Sequence, residues 1–140
     1  MRITKLGHCC MLIEERGTRI ITDPGIYSTQ QNNLQNISAI LITHDHADHL
    51  HLDSLKTILK NSPTAQILTN KSVGAVLEKE GISYHLIEDG DKTEINGISI
   101  EGYGTKHAAM HSSVPQINNT GYLIANKLFY PGDAFTNPNK

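Results

Sequence analysis

One junction constrains this chain more than any other. An unbroken aliphatic and β-branched run over residues 38–43 ends directly on Thr43-His44-Asp45-His46-Ala47-Asp48-His49. A run that short, with no polar alternation, predicts a strand buried on both faces, the kind that lies centrally in a parallel sheet. Ligands in layered α/β folds gather beyond the carboxyl ends of such strands. Here that end carries three imidazoles and two carboxylates within six residues. Imidazole nitrogen suits zinc, iron and related transition metals, whereas carboxylate adds charge and can bridge. In a loop leaving a strand, His44 and His46 can converge on one ion, and Asp48 and His49, one turn further on, can address a second. The plain alternative is a solvated, histidine-rich helix start, which gives no reason for so polar a cluster against so apolar a strand.

Around this junction the sequence predicts alternating elements. Residues 2–6 and 9–14 read as short strands, Glu15-Arg16-Gly17 turns the chain into a strand over 18–22, and Asp23-Pro24-Gly25 stops it. The polar segment 27–36 reads as a surface loop. Leu52, Leu55, Ile58 and Leu59 fall at helical spacing, with Asp53 and Ser54 near the helix start. A strand over 66–69 leads to Asn70, which can cap a helix presenting Val73, Val76 and Leu77 on one face before Gly81 ends it. The second half is strand-rich: 84–87, 92–95, the Asn96-Gly97 hairpin signal, and 98–103. After an irregular loop over 104–119, strands over 120–125 and 128–130 run into Pro131-Gly132-Asp133. Hairpins flanking a β-α-β-α-β centre predict a mixed α/β layered fold.

Composition narrows the function classes. Twelve Lys+Arg against 14 Asp+Glu leave a net charge of −2, which argues against nucleic-acid binding through a basic surface and against a polybasic membrane binder. The longest apolar stretch, 37–42, is too short to span a bilayer, and the opening residues read as strand rather than signal peptide. The expected compartment is therefore the cytoplasm. Cys9 and Cys10 are adjacent, poor geometry for an ordinary disulfide, and read as two reduced thiols on opposite faces of a strand. A chain of 140 residues is expected to form a single domain, 1–140, with one substantial core.

The segment His44-x-His46-x-Asp48-His49 resembles the H-x-H-x-D-H signature of the metallo-β-lactamase superfamily. Gly7-His8 before a strand, then Ile20-Ile21-Thr22-Asp23-Pro24, is similar to the opening of its small metal-dependent hydrolases, the ascorbate-6-phosphate-lactonase-like group. Gly121-Tyr122-Leu123-Ile124 leading to Tyr130-Pro131-Gly132-Asp133 resembles the element that carries the superfamily's bridging aspartate. The resemblance implies an αββα sandwich. It implies that His44, His46 and His107 hold a first metal, that Asp48 and His49 hold a second, and that Asp133 bridges. The superfamily completes its second site with a last histidine beyond a further strand and helix. This sequence ends at Lys140 without one, so the expectation is a sandwich whose C-terminal part is missing or shortened.

Other residues keep two readings. His107 and His111 compete for one ligand place; His107 lies nearer the end of the preceding strand, which leaves His111 as a pocket residue touching substrate or as a surface histidine. Asp23 is either a turn-former or an anchor for a ligating imidazole. His8 resembles a position at the mouth of the family's site, Asp45 faces solvent or supports the loop, and His51 and His85 read as surface residues. The activity implied is a metal-dependent hydrolase that turns a metal-bound hydroxide on an ester, lactone or phosphoester bond of a small molecule. Asp48 serves as ligand and general base, and His111 or His8 contacts the developing oxyanion. Zinc is the expected ion, one or two per chain, with manganese and iron as alternatives. The competing functions are a nuclease or phosphodiesterase of the same fold, and a degenerate non-catalytic metal-binding module. Because 84–130 supplies strands but no helix to cover the second sheet, the chain is expected to self-associate as a dimer, the partner covering that face.

Overall fold

The computed structural model describes residues 1–138, so the last two residues of the expected domain lie outside it. The first sheet has six strands in sequence order: β1 (Arg2–Gly7), β2 (Cys10–Glu15), β3 (Thr18–Thr22), β4 (Ala39–Ile42), β5 (Gln66–Thr69) and β6 (His85–Leu86). Its first three strands form an antiparallel meander, and β3 through β6 run parallel. Helices α1 (Leu52–Asn61) and α2 (Lys71–Lys79) are the crossovers that parallel pairing requires. The second sheet is antiparallel, ordered β10 (Leu128–Tyr130), β9 (Gly121–Ile124), β8 (Ile98–Tyr103), β7 (Lys92–Ile95).

The expected central strand is β4, and its four side chains are all fully buried because it packs on both faces. Ile40 and Ile42 meet Leu55, Ile58, Val73 and Leu77 of the two helices. Ala39 and Leu41 face the opposite way and join Ile98, Ile100, Tyr122 and Ile124 of the second sheet. The neighbours alternate likewise: Leu12, Ile21 and Ile67 face the helices, whereas Ile13, Ile20 and Leu68 face the second sheet. Burying each such side chain stabilises the fold by about 1.5–3 kcal/mol relative to exposure. Asn70 caps α2 as the sequence predicts, its side chain accepting from Val73 N at 3.1 Å. Asn96 and Gly97 both take positive φ, the conformation a two-residue hairpin turn demands.

The layers are therefore helices, sheet, sheet. Among the described residues no helix covers the outer face of the second sheet, where Tyr103 and Phe129 stack edge to face at 5.9 Å. None is long and apolar enough to cross a membrane. Two local readings need correction. The loop over 27–36 contains a single 3₁₀ turn (Gln30–Asn33) with Gln31 buried. Strand β2 begins at Cys10, not Cys9: Gly7 pairs with Cys10, so His8 and Cys9 form the turn between β1 and β2. Cys10 is buried in the helix-facing core, and Cys9 instead projects from the turn toward the histidine cluster.

Candidate metal centre

Strands β3 and β4 end side by side, and this pairing builds the floor of the site. Asp23, the first residue past β3, donates its backbone N–H to Leu41 O at 2.9 Å and is fully buried. Its carboxylate gathers four hydrogen bonds. Thr43 N donates to Oδ1 at 2.8 Å, while Thr43 Oγ1 at 2.8 Å, His49 Nδ1 at 2.7 Å and Tyr130 Oη at 2.7 Å converge on Oδ2. Hydrogen bonds to a charged group stabilise by about 1.5–3 kcal/mol each, so Asp23 fixes the strand ends and the imidazole of His49 together. Its anchoring role is thus visible in the geometry, at a turn-forming position with φ 38°.

Two glycines let the loops close on this floor. A Cβ on Gly25 would overlap the carbonyl of Asp48, so only glycine permits the 23–25 turn to lie beneath the histidine loop. Gly132 has φ 61°, and a Cβ there would stand 2.6 Å from Thr43 Cβ. That close approach delivers Asp133, whose N–H donates to Asn119 Oδ1 at 3.0 Å and whose carbonyl accepts from Ala108 N at 2.7 Å.

The result is a ring of imidazoles. His44 and His46 lie 4.7 Å apart by ring centroid, and His107 lies 4.8 Å from His44 and 4.9 Å from His46. One donor atom from each falls within 4.8 Å of the others. Outer hydrogen bonds set the tautomers. Thr43 Oγ1 gives its proton to Asp23 and so accepts from His44 Nδ1 at 3.0 Å, and His107 Nδ1 donates to Ala108 O at 2.7 Å. Both Nε2 atoms are thereby left as bare acceptors, and both are buried with no hydrogen-bond partner. Burial and the neighbouring imidazoles of His49, His46 and His107 push His44 down to about 3, so it stays neutral, the form that coordinates. Two unsatisfied buried lone pairs facing a third imidazole fit a cation and little else.

Beside the ring lies a second, charged group. His49 Nε2 stands 3.3 Å from Cys9 Sγ, 3.3 Å from Asp133 Oδ1 and 3.6 Å from Asp48 Oδ2. Burial opposes charge on His49, but its bonds to Asp23 and Cys9 push it up to about 10. Asp48 Oδ2 takes a bond from His8 Nε2 at 3.0 Å. Burial works against ionising Asp48, yet the His8 bond and the His49 charge hold it below its ordinary value. The other oxygen of Asp133, Oδ2, lies 3.4 Å from His107 Nε2, so this carboxylate spans the two groups.

The structure thus brings together His44, His46, Asp48, His49, His107 and Asp133. It does not bring in His111, which is exposed and exchanges hydrogen bonds with Ser113. The loop after His107 folds outward, held by Gln116 Nε2 on His107 O and by His107 N on Ile117 O. Asp45 is exposed, His85 lies on an exposed edge strand, and His51 bonds Ser54 at the start of α1. Sequence reasoning missed Cys9, Thr43 and Tyr130. The one available signal was the Gly7-His8 pair, which marks a turn whose next residue also escapes the strand.

Paired sheets with histidines and carboxylates at the carboxyl ends of parallel strands define the metallo-β-lactamase fold. The chain belongs to that superfamily: the family model described as the beta-lactamase superfamily domain matches residues 2–140. Protein Rv0786c of Mycobacterium tuberculosis is 34% identical over 143 residues, covering 99% of this chain and 66% of that protein. A UPF0173 metal-dependent hydrolase of Alkaliphilus metalliredigens is 28% identical over 149 residues, covering 95% of this chain and 63% of the relative. The chain therefore spans just under two thirds of the length of these relatives. Among solved structures, Igni18, a metallo hydrolase of Ignicoccus hospitalis, superposes with a TM-score of 0.70 at 24% identity, over 94% of this chain and 60% of that one. CmlA, a diiron β-hydroxylase of Streptomyces venezuelae, also superposes with a TM-score of 0.70, at 21% identity over 87% of this chain and 27% of that one. These two likenesses establish the fold.

Proposed function

We propose that this chain is a metal-dependent hydrolase of small molecules, with His44, His46 and His107 holding one divalent ion, Asp48 and His49 a second, and Asp133 spanning both. The observation that carries this reading is the pair of buried, partnerless Nε2 atoms of His44 and His107 turned toward His46. Kinship with relatives named metal-dependent hydrolases supports the reaction class. Nitrogen-rich donors favour zinc. The ions, when bound, supply Lewis acidity and make a water acidic enough to react at neutral pH.

The chain's own residues do the rest. Asp48, ionised and half-exposed, accepts a hydrogen bond from an attacking water, orients it and takes its proton as general base. His8 holds the Asp48 carboxylate in place through Oδ2. Asp23 holds His49 directly and His44 through Thr43, and needs no contact with substrate. A cleft of about 300 Å³, lined by His107, Ala108, Met110, Asp133 and Phe135, opens beside the cluster and suits an ester, lactone or phosphoester of modest size. A second copy of the chain on the uncovered face of the second sheet would give the expected dimer, which light scattering reads directly.

Elemental analysis of the purified protein after zinc loading tests the metal centre, and ester, lactone and phosphodiester substrates test the reaction. The parent should hold zinc and turn over one of these classes. His46→Ala should lose most of the metal, and Asp48→Asn should keep the fold and lose turnover. A parent that takes up no metal at neutral pH ends the proposal.

A further inference from the structure

The turn between β1 and β2 places a cysteine where neither the fold nor the signature motif requires one. Cys9 Sγ lies 3.3 Å from His49 Nε2, and His8, Cys9, Asp48 and His49 offer donor atoms all within 4.8 Å of one another. His49 Nδ1 is committed to Asp23, so Nε2 is the nitrogen free to face an ion. The His49 side chain is 1% exposed, and its Nε2 is ringed by Cys9 Sγ, Asp133 Oδ1 and Asp48 Oδ2. Three electron-rich atoms converge on one imidazole nitrogen, a donor set that suits a cation.

The turn aims the thiol there deliberately in physical terms. His8 takes φ 44° and Gly7 φ 142°, backbone conformations that turn the chain before β2 begins at Cys10. The next residue, Cys10, shows what a cysteine facing the core does in this fold. It is fully buried among Leu6, Leu12 and Ile42, and burial pushes its thiol up to about 12, which keeps it an inert thiol. The two cysteines are adjacent in sequence and opposite in environment.

We propose that Cys9 is a thiolate ligand of the second metal position, beside Asp48 and His49. The proposal rests on the hydrolase reading above, since that reading puts an ion at Asp48 and His49. A sulfur ligand changes the selectivity of that position. Soft thiolate favours zinc, cobalt and iron over magnesium and manganese, so the second position should discriminate against hard ions more strongly than the three-imidazole position, which has no sulfur ligand. Binding releases the thiol proton and the proton on His49 Nε2, and the lone pairs so freed form the new metal–sulfur and metal–nitrogen bonds with no change of oxidation state.

Cobalt(II) titration of the purified 140-residue chain, followed by absorption spectroscopy, tests this. Ligand-field bands in the visible should grow with the first equivalent as the three imidazoles fill. A thiolate-to-cobalt charge-transfer band in the near ultraviolet should appear with the second equivalent. Cys9→Ser should abolish that band and leave the first-equivalent bands in place, whereas Cys10→Ala should keep both. Iodoacetamide labelling read by mass spectrometry gives a check that needs no variant: Cys9 should be alkylated in the metal-free chain and protected after two equivalents of zinc. Cobalt bound without the charge-transfer band, a band that survives Cys9→Ser, or labelling that zinc does not slow would each overturn the proposal while leaving the imidazole site standing. No ligand-field band at all would remove the hydrolase reading and this proposal with it.

Discussion

The two halves of the candidate centre are built on opposite principles. The ring of His44, His46 and His107 is internally unsatisfied: two of its Nε2 atoms are buried without hydrogen-bond partners. The group of His8, Cys9, Asp48 and His49 is charged and closed on itself, since His8 bonds Asp48 and His49 faces Cys9. An ion entering the ring breaks no hydrogen bond and relieves two buried lone pairs. An ion entering the charged group displaces a proton from His49 and competes with existing bonds. On the proposed two-ion reading, the difference predicts that the ring fills first and more tightly. Asp23 is the point they share, because it holds His49 directly and His44 through Thr43.

The strongest way to break this comparison is to remove a ring ligand. Loss of an outer hydrogen-bond partner already costs about 10–100-fold in metal affinity, so His107→Ala should cost the first ion well over that. Chelator competition measures it, and the second ion should weaken much less. If both ions weaken equally, the sites are one unit rather than two. Next in size is Asp23→Asn, which keeps an acceptor and tolerates the positive φ but removes the charge. Affinity at both positions should fall by about 10–100-fold, as expected for an outer-shell change. A drop at only one position would show that Asp23 does not join them.

The two halves also respond to pH with opposite sign in the metal-free chain. His44, held down to about 3 by burial and its imidazole neighbours, stays neutral in the fold while the unfolded chain takes up a proton near 6.5. Its effect is that stability falls as the pH drops from about 6.5 toward 3. His49, held up to about 10 by Asp23 against the cost of burial, contributes fully below about 6.5 and loses that contribution as the pH rises through 10. Urea midpoints across pH, with chelator present, should fall at both ends. His44→Gln should flatten the acid limb, and Asp23→Asn the alkaline one. The smallest effect belongs outside both halves. Bonds from Lys127 and the N-terminus hold Glu15 down to about 2, so its contribution is present above about 4.5 and is lost as the pH falls toward 2. Glu15→Gln should lower the midpoint slightly above pH 4.5 and leave metal affinity unchanged; a change in affinity would mean that the clusters feel the far end of β2.

Much of this was legible in the chain. The apolar run at 38–43 announced β4, the 3.6-residue spacing of Leu55 and Ile58 announced α1, and Asn96-Gly97 announced the β7–β8 hairpin, because each depends on backbone preference and local period. The motif residues His44, His46, Asp48 and His49 were legible for the same reason: they sit within six positions, next to a strand end that fixes them. The turn at 8–9 was misread because one residue of strand register decides which face a side chain takes. His111 kept two readings in the sequence, pocket residue or surface histidine; the structure leaves it exposed and bonded to Ser113.

What the sequence determined by itself, then, was the set of elements and the ligand-bearing loop, since both arise from contacts a few residues apart. The tertiary structure alone decided the partnerships across long separations. It put His107 and Asp133 against a loop near residue 44, made Asp23 the common acceptor of Thr43, His49 and Tyr130, and set Cys9 beside His49. The physical reason is that a donor's role depends on what faces it. Desolvation, hydrogen-bond geometry and charge at a point in space come from whichever strands the sheets bring together, and no local pattern records which those are.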